Sequence, residues 1–247
     1  MFKGTSASAG IGIGKAVIVE EAELVITRNE VADAEGEIQR FKGALEKTIA
    51  ATQKMADDLA SRVGEKEAEI MQGHMMLLSD PMLTGEIESS IRNDKVNSEF
   101  AIENVCNMYA DMFASMGDEL MQQRATDMRD IKVRMQRTLM GLESVDVSLL
   151  PKGSILVAKD LTPSMTAGIN PENVSGIVTE LGGKTSHSAI LARALEIPAV
   201  VAVNGLMDAV KDGDKVVLDG STGEVFVDPE ASVEKEYEEK RKQFFKR

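Results

Sequence analysis

The residues of this chain best suited to chemistry are Gly182-Gly183-Lys184-Thr185-Ser186-His187-Ser188-Ala189-Ile190-Leu191-Ala192-Arg193. A β-rich run precedes them, glycines and hydroxyl side chains make the loop, and a helical pattern comes next. The first amides of a helix have no partner within it, and the positive end of the helix dipole lies behind them. Such a turn is an anion site, and a phosphoryl group is its natural occupant. His187 sits at that turn. A neutral imidazole there can attack phosphorus, while amides and hydroxyls steady the oxygens in transfer. The positive helix end disfavours imidazolium, which keeps one ring nitrogen free. For a lone histidine the ordinary reading is a cap or a core group. Here the chain has only 2 histidines, and this one lies between serines in a glycine-rich turn.

Two kinds of pattern must position that loop. Residues 1–20 begin rich in Gly and Ser and end in Ala16-Val17-Ile18-Val19, which reads as a strand. From 31 to 142 the period is helical. Ile38, Phe41, Leu45, Ile49, Leu59 and Val63 form one stripe. A second runs from Ile102 through Cys106 and Tyr109 to Met116, and a third from Leu120 to Met135. A shorter pair, 67–79 and 82–92, meets at Asp80-Pro81, because proline suits a first helical turn and stops the helix before it. Asn97-Ser98 caps the next helix, and Gly141 ends the last. After that come short β-rich runs at 154–158, 175–179, 199–203, 215–218 and 224–227, with helices at 163–169, 187–195 and 205–210. The reading is an α/β domain of residues 1–20 and 145–230, interrupted by a helical insertion over 31–142. Residues 231–247 are highly charged and read as a final helix or linker, an odd place for a protein to stop.

With 247 residues, 43% hydrophobic and 28% charged, the chain can bury a core in each of one or two domains. A net charge of −13 repels nucleic acid and anionic lipid and suits a basic protein surface. The single cysteine, Cys106, rules out an internal disulfide and lies in an apolar stripe, so a buried thiol is expected. Most of the 15 methionines are expected to fill helical cores. There is no basic leader followed by an apolar run, and no apolar stretch of about 18 residues, so the expectation is a cytoplasmic protein that spans no membrane. Gly10-Ile11-Gly12-Ile13-Gly14-Lys15-Ala16 is not a nucleotide loop. No strand is expected before it, and Ala16 stands where a phosphate loop needs Ser or Thr.

The histidine stretch resembles the active-site signature of the phosphoenolpyruvate-utilising enzymes, Gly-Gly-x-Thr-Ser-His followed by Ala-Ile-x-Ala-Arg. Three further motifs narrow the resemblance to Enzyme I of the sugar phosphotransferase system. They are the opening Ala7 to Ala16, the pair Gly73–Leu78 and Arg124–Ile131 in the helical part, and Asp160-Leu161-Thr162-Pro163-Ser164 before the site. The resemblance covers essentially all 247 residues.

The resemblance implies a swivelling phosphohistidine α/β domain carrying an inserted four-helix subdomain that binds the phosphocarrier protein HPr. It implies that His187 is phosphorylated on Nε2, and that a hydroxyl matching Thr166 bonds the imidazole at Nδ1. Such a bond would fix the tautomer and aim Nε2 at phosphorus. Gly182, Gly183, Thr185 and Ser186 become candidates for the phosphoryl pocket. Arg193 would either add charge there or pair with a surface acid. His74, Met76, Leu77, Asp80, Leu83 and Arg124 become candidates for the HPr surface, although Met76 and Leu77 could equally be core. No carboxylate–histidine or hydroxyl–histidine constellation surrounds His74 in sequence.

In that family a C-terminal barrel binds phosphoenolpyruvate and magnesium and mediates dimerisation. These 247 residues are expected to lack it, to need no cofactor or metal of their own, to be monomeric, and to exchange phosphoryl with phosphorylated HPr but not with phosphoenolpyruvate. Two alternatives are a swivelling domain of another phosphoenolpyruvate-utilising enzyme, of the dikinase type, and a non-catalytic partner-binding module.

Overall fold

A computed structural model describes residues 1–20, 23–142 and 146–246. The chain divides into two compact units, Ala22–Ser144 and the discontinuous pair Met1–Glu21 with Val145–Arg247. The discontinuous unit is thus interrupted in the chain by the other.

The inserted unit holds α1 (Ala34–Arg62), α2 (Glu65–Leu78), α3 (Pro81–Asp94), α4 (Ser98–Ser115) and α5 (Glu119–Leu139). Three of them start on aspartate caps. Asp33 accepts from the Gly36 amide, Asp80 from Met82 and Asp118 from Met121. Pro81 is the first residue of α3, so α2 and α3 follow one another with only the Ser79-Asp80 break between them. Ile38, Phe41, Leu78, Leu83, Ile87, Ile102, Met128 and Ile131 meet in a single core. Cys106 lies wholly within it, and burial pushes its thiol up to about 12. It is inert as a nucleophile at neutral pH.

The other unit is an eight-stranded sheet. Its strands are β1 (Phe2–Lys3), β2 (Thr5–Ser8), β3 (Ile11–Ile18), β4 (Ser154–Ala158), β5 (Val174–Thr179), β6 (Ala199–Val201), β7 (Lys215–Asp219) and β8 (Glu224–Val227), in the order β1-β8-β7-β3-β4-β5-β6-β2. The centre, β3 to β6, is parallel, and the flanking strands are antiparallel to their neighbours. Every residue of β4 is buried. Leu156 and Ala158 pack into one core and Ile155 and Val157 into another, so the sheet is covered on both faces. Short helices α6 (Pro163–Ala167), α7 (His187–Ala194) and α8 (Leu206–Ala209) join the strands.

The structure differs from the sequence expectation at both ends. β1, β2 and the first half of β3 form where Gly and Ser lower strand propensity. A Cβ on Gly14 would overlap the Gly153 carbonyl oxygen, so that glycine serves close strand packing. β2 does precede Gly10, contrary to expectation. Gly10 leads into a strand and not a helix, so the segment still makes no phosphate loop. The charged tail forms α9 (Ala231–Phe245), and it is docked rather than a free linker. Tyr237 is buried, stacks at 5.1 Å on Phe226 and donates its hydroxyl to Glu224 Oε2 at 2.8 Å.

Candidate functional site

β4 and β5 are adjacent and parallel, and the loops leaving their carboxyl ends carry α6 and α7. Sites in open parallel sheets form there, because the loops converge and the next helices begin there. α6 and α7 pack against each other. Residues 166 and 187 are thus brought to one end of the sheet although they lie 21 positions apart in the chain.

The turn into α7 depends on two small residues. Gly182 has φ +101°, a conformation that side chains disfavour. Ser186 is the N-cap. Its hydroxyl donates to the Gly183 carbonyl at 2.7 Å, accepts from the Ala189 amide at 3.4 Å, and lies 3.1 Å from the Ser188 hydroxyl. The Ser186 proton is thus engaged in shaping the turn. Gly183 is half-buried, and Thr185 is exposed on the outer side of the loop. Ser188, outside the set expected from sequence, is buried beneath them.

His187 is the first residue of α7, so the unshared amides of the first turn surround its backbone. The residue is half-buried, and both ring nitrogens are hidden from solvent. The ring nitrogen expected to be free for attack is thus covered in this conformation.

Thr166 is buried in α6, and its hydroxyl donates to the Pro163 carbonyl at 2.8 Å. A hydroxyl has one proton, so toward an imidazole Thr166 can only accept. An Nδ1–H donor would suit it, and that tautomer leaves Nε2 with its lone pair. Thr162 caps α6, accepting from the Met165 amide at 3.2 Å, with Pro163 at the first helical position. Asp160, in the same loop, has its carboxyl raised by burial, against a lowering bond from the Leu161 amide.

Among the described residues Arg193 pairs with backbone carbonyls and not with an acid. Its Nη1 donates to the Ala7 carbonyl at 2.8 Å and its Nη2 to the Lys184 carbonyl at 2.9 Å. It clamps the glycine loop to β2. No local signal announces this, because the acceptors are backbone groups, one of them 186 residues away.

In the helical unit the HPr candidates separate. His74 is completely buried, so its ring is not on the surface, and its Nε2 lies 2.9 Å from Asp127 Oδ1, a carboxylate neighbour. Leu83 is also core, and Leu77 is half-buried against that core. Asp80 is the cap of α3. Met76, 71% exposed, and Arg124 face solvent. Nor do the methionines mainly fill the core. Met71, Met128 and Met135 do, whereas Met76, Met82, Met108, Met112 and Met116 stand exposed. Among the described residues, no three His, Cys, Asp or Glu side chains gather closely enough to hold a metal ion, and no helix is long and apolar enough to cross a membrane.

Comparisons with known proteins agree with this geometry. Residues 3–124 match the family model of the PEP-utilising enzyme N-terminal region, and residues 150–223 match that of the PEP-utilising enzyme mobile domain. The chain is 42% identical over 239 residues to the phosphoenolpyruvate-protein phosphotransferase of Bacillus subtilis, covering 97% of this chain and 42% of that one. With the Staphylococcus carnosus protein of the same name it shares 40% over 245 residues, 99% of this chain and 43% of that one. It thus spans well under half the length of these curated relatives. Among solved structures, an Enzyme I chain (nEIt) determined by NMR superposes with a TM-score of 0.86 at 38% identity, covering 99% of both chains. The N-terminal domain of a nitrogen-type Enzyme 1 gives 0.62 at 26% identity, covering 97% of this chain and 98% of that one. The chain therefore belongs to the phosphoenolpyruvate-utilising enzymes, and within them to the N-terminal part of Enzyme I.

Proposed function

We propose that this chain carries a phosphoryl group on His187 and exchanges it reversibly with the phosphocarrier protein HPr. The observation that supports this most strongly is the position of His187 as the first residue of α7, where β4 and β5 end. The Nε2 lone pair forms a bond to phosphorus as the donor's bond to phosphorus breaks, and that electron pair returns to the donor atom. The phosphoryl oxygens lie against the first amides of α7 and the loop of Gly182, Gly183 and Thr185, fixed donors that need no reorganisation during transfer. Thr166 holds the Nδ1 proton, and so the tautomer. Ser186 and Arg193 act indirectly, by setting the loop. Because both ring nitrogens are covered in this conformation, transfer entails a rearrangement that uncovers Nε2.

Docking falls to the helical unit. Met76 of the candidate set offers flexible apolar surface, as does Met82 outside it, and Arg124 of that set is also exposed. The chain's net charge of −13 favours a partner with a basic rim. The same reading puts the protein in the cytoplasm. It also assigns phosphoenolpyruvate and magnesium binding to sequence beyond these residues in the longer relatives.

The test is to mix the 247-residue chain with phosphorylated HPr. Acid-labile phosphate is expected to move to the chain, and His187→Ala is expected to abolish that while still binding HPr. Absence of transfer to the wild type refutes the reading. In a parallel arm, phosphoenolpyruvate and magnesium without HPr are expected to leave the chain unlabelled, and rapid labelling would overturn the division of labour.

A further inference from the structure

His74 is one of two histidines, and the phosphoryl chemistry does not use it. It is fully buried on α2, where burying a polar ring without a partner is costly. Its Nε2 lies 2.9 Å from Oδ1 of Asp127 on α5. An ionised carboxylate only accepts, so Nε2 carries the proton and donates it. Nδ1 is also buried and makes no hydrogen bond. A leucine would fill this space with no polar cost, so packing alone does not account for a histidine.

The location of the bond is informative. Met76, exposed, lies two residues after His74, and the α2–α3 break at Asp80-Pro81 comes directly after. Arg124, also exposed, lies three residues before Asp127, on the same face of α5. The bond therefore ties together the two helix segments that present candidate docking side chains. It lies within the helical unit, and His187 belongs to the other.

We propose that the His74–Asp127 hydrogen bond is a positioning device for docking: it fixes the end of α2 against α5 and so sets affinity for the protein partner, with no part in phosphoryl transfer. The proposal rests on the HPr-exchange reading and adds to it a residue that touches neither partner nor phosphate.

The experiment compares steady-state exchange with phosphorylated HPr for wild type, His74→Gln, His74→Asn, His74→Leu and Asp127→Ala. The glutamine amide nitrogen reaches about as far as Nε2, whereas the asparagine nitrogen stops near Nδ1. The Asn, Leu and Asp127→Ala variants are expected to raise KM for HPr about tenfold with kcat unchanged, and Gln is expected to restore the wild-type KM. The double variant His74→Asn/Asp127→Ala is expected to raise KM no further than Asp127→Ala alone, because both break the same His74–Asp127 bond. Should His74→Leu fail to fold, Asp127→Ala and the Gln–Asn contrast decide the matter. Equal KM in every variant, a fall in kcat at unchanged KM, or additive effects in the double variant overturns this inference alone. A wild type that does not exchange with HPr overturns the proposed function, and this inference with it.

Discussion

Arg40 and Arg193 each pin distant elements together, by different means in the two units. In the helical unit, Arg40 on α1 bonds Glu99 of α4 at 2.6 and 3.2 Å, Glu37 at 3.1 Å and the Leu139 carbonyl at 2.9 Å. Nearby, Glu103 of α4 accepts from Gln136 at 2.7 Å and Lys132 at 3.3 Å, both on α5. Helix backbones are already satisfied internally, so side-chain carboxylates make the cross-links. In the α/β unit, Arg193 bonds two backbone carbonyls and Ser186 a third. Loops leave carbonyls unpaired, so the site is held by groups that do not titrate. The cross-links of the helical unit therefore carry titrating carboxyls, and those of the loop around His187 do not.

Ways to break this contrast run from large effects to small. His187→Ala should remove all detectable phosphate uptake while helix content by circular dichroism stays unchanged. Gly14→Val should cost the α/β unit about 3 kcal/mol, because its side chain strikes Gly153 across the β3–β4 pair. Chemical denaturation should then show two transitions, with the helical one at its wild-type midpoint. Arg193→Ala should slow transfer about 10- to 100-fold in stopped flow by freeing the loop, with HPr affinity unaltered. Met76→Ala should reverse that pattern, weakening HPr binding by about 1 kcal/mol in calorimetry without slowing transfer at saturation.

The smallest effect is that of pH. Burial raises the Glu99 and Glu103 carboxyls, but the bonds from Arg40 and from Gln136 and Lys132 outweigh it and leave both below their ordinary value of 4.5. A carboxyl lowered by folding stabilises the native state above its unfolded pKa, and that stability is lost as pH falls through the folded value. Thermal melts between pH 6 and 3 should therefore show the helical transition falling first below about pH 4.5. A simultaneous fall of both would argue against the contrast.

The same difference explains what could be read from sequence. The long helices were legible because Ile38, Phe41 and Leu45, or Ile102, Val105 and Cys106, repeat at helical spacing over many turns. The break at Pro81 was legible because proline acts locally. The turn before His187 was legible because Gly182 and Ser186 each carry a local backbone demand. β1, β2 and the start of β3 were not, because their order comes from pairing with β8, β6 and β7 rather than from propensity. Arg193 was misread because its partners are carbonyls, which every sequence position has. His74 was misread because its carboxylate lies 53 residues away. The exposed methionines share the helical stripe of the core residues, and periodicity alone does not say which face a partner will cover.

The most direct test is to expose the chain to phosphorylated HPr, digest it at alkaline pH and locate the phosphate by peptide mass mapping. The account predicts one label, on the peptide containing His187 and absent when that residue is alanine. Phosphate on the peptide containing His74, or on neither histidine, would contradict it.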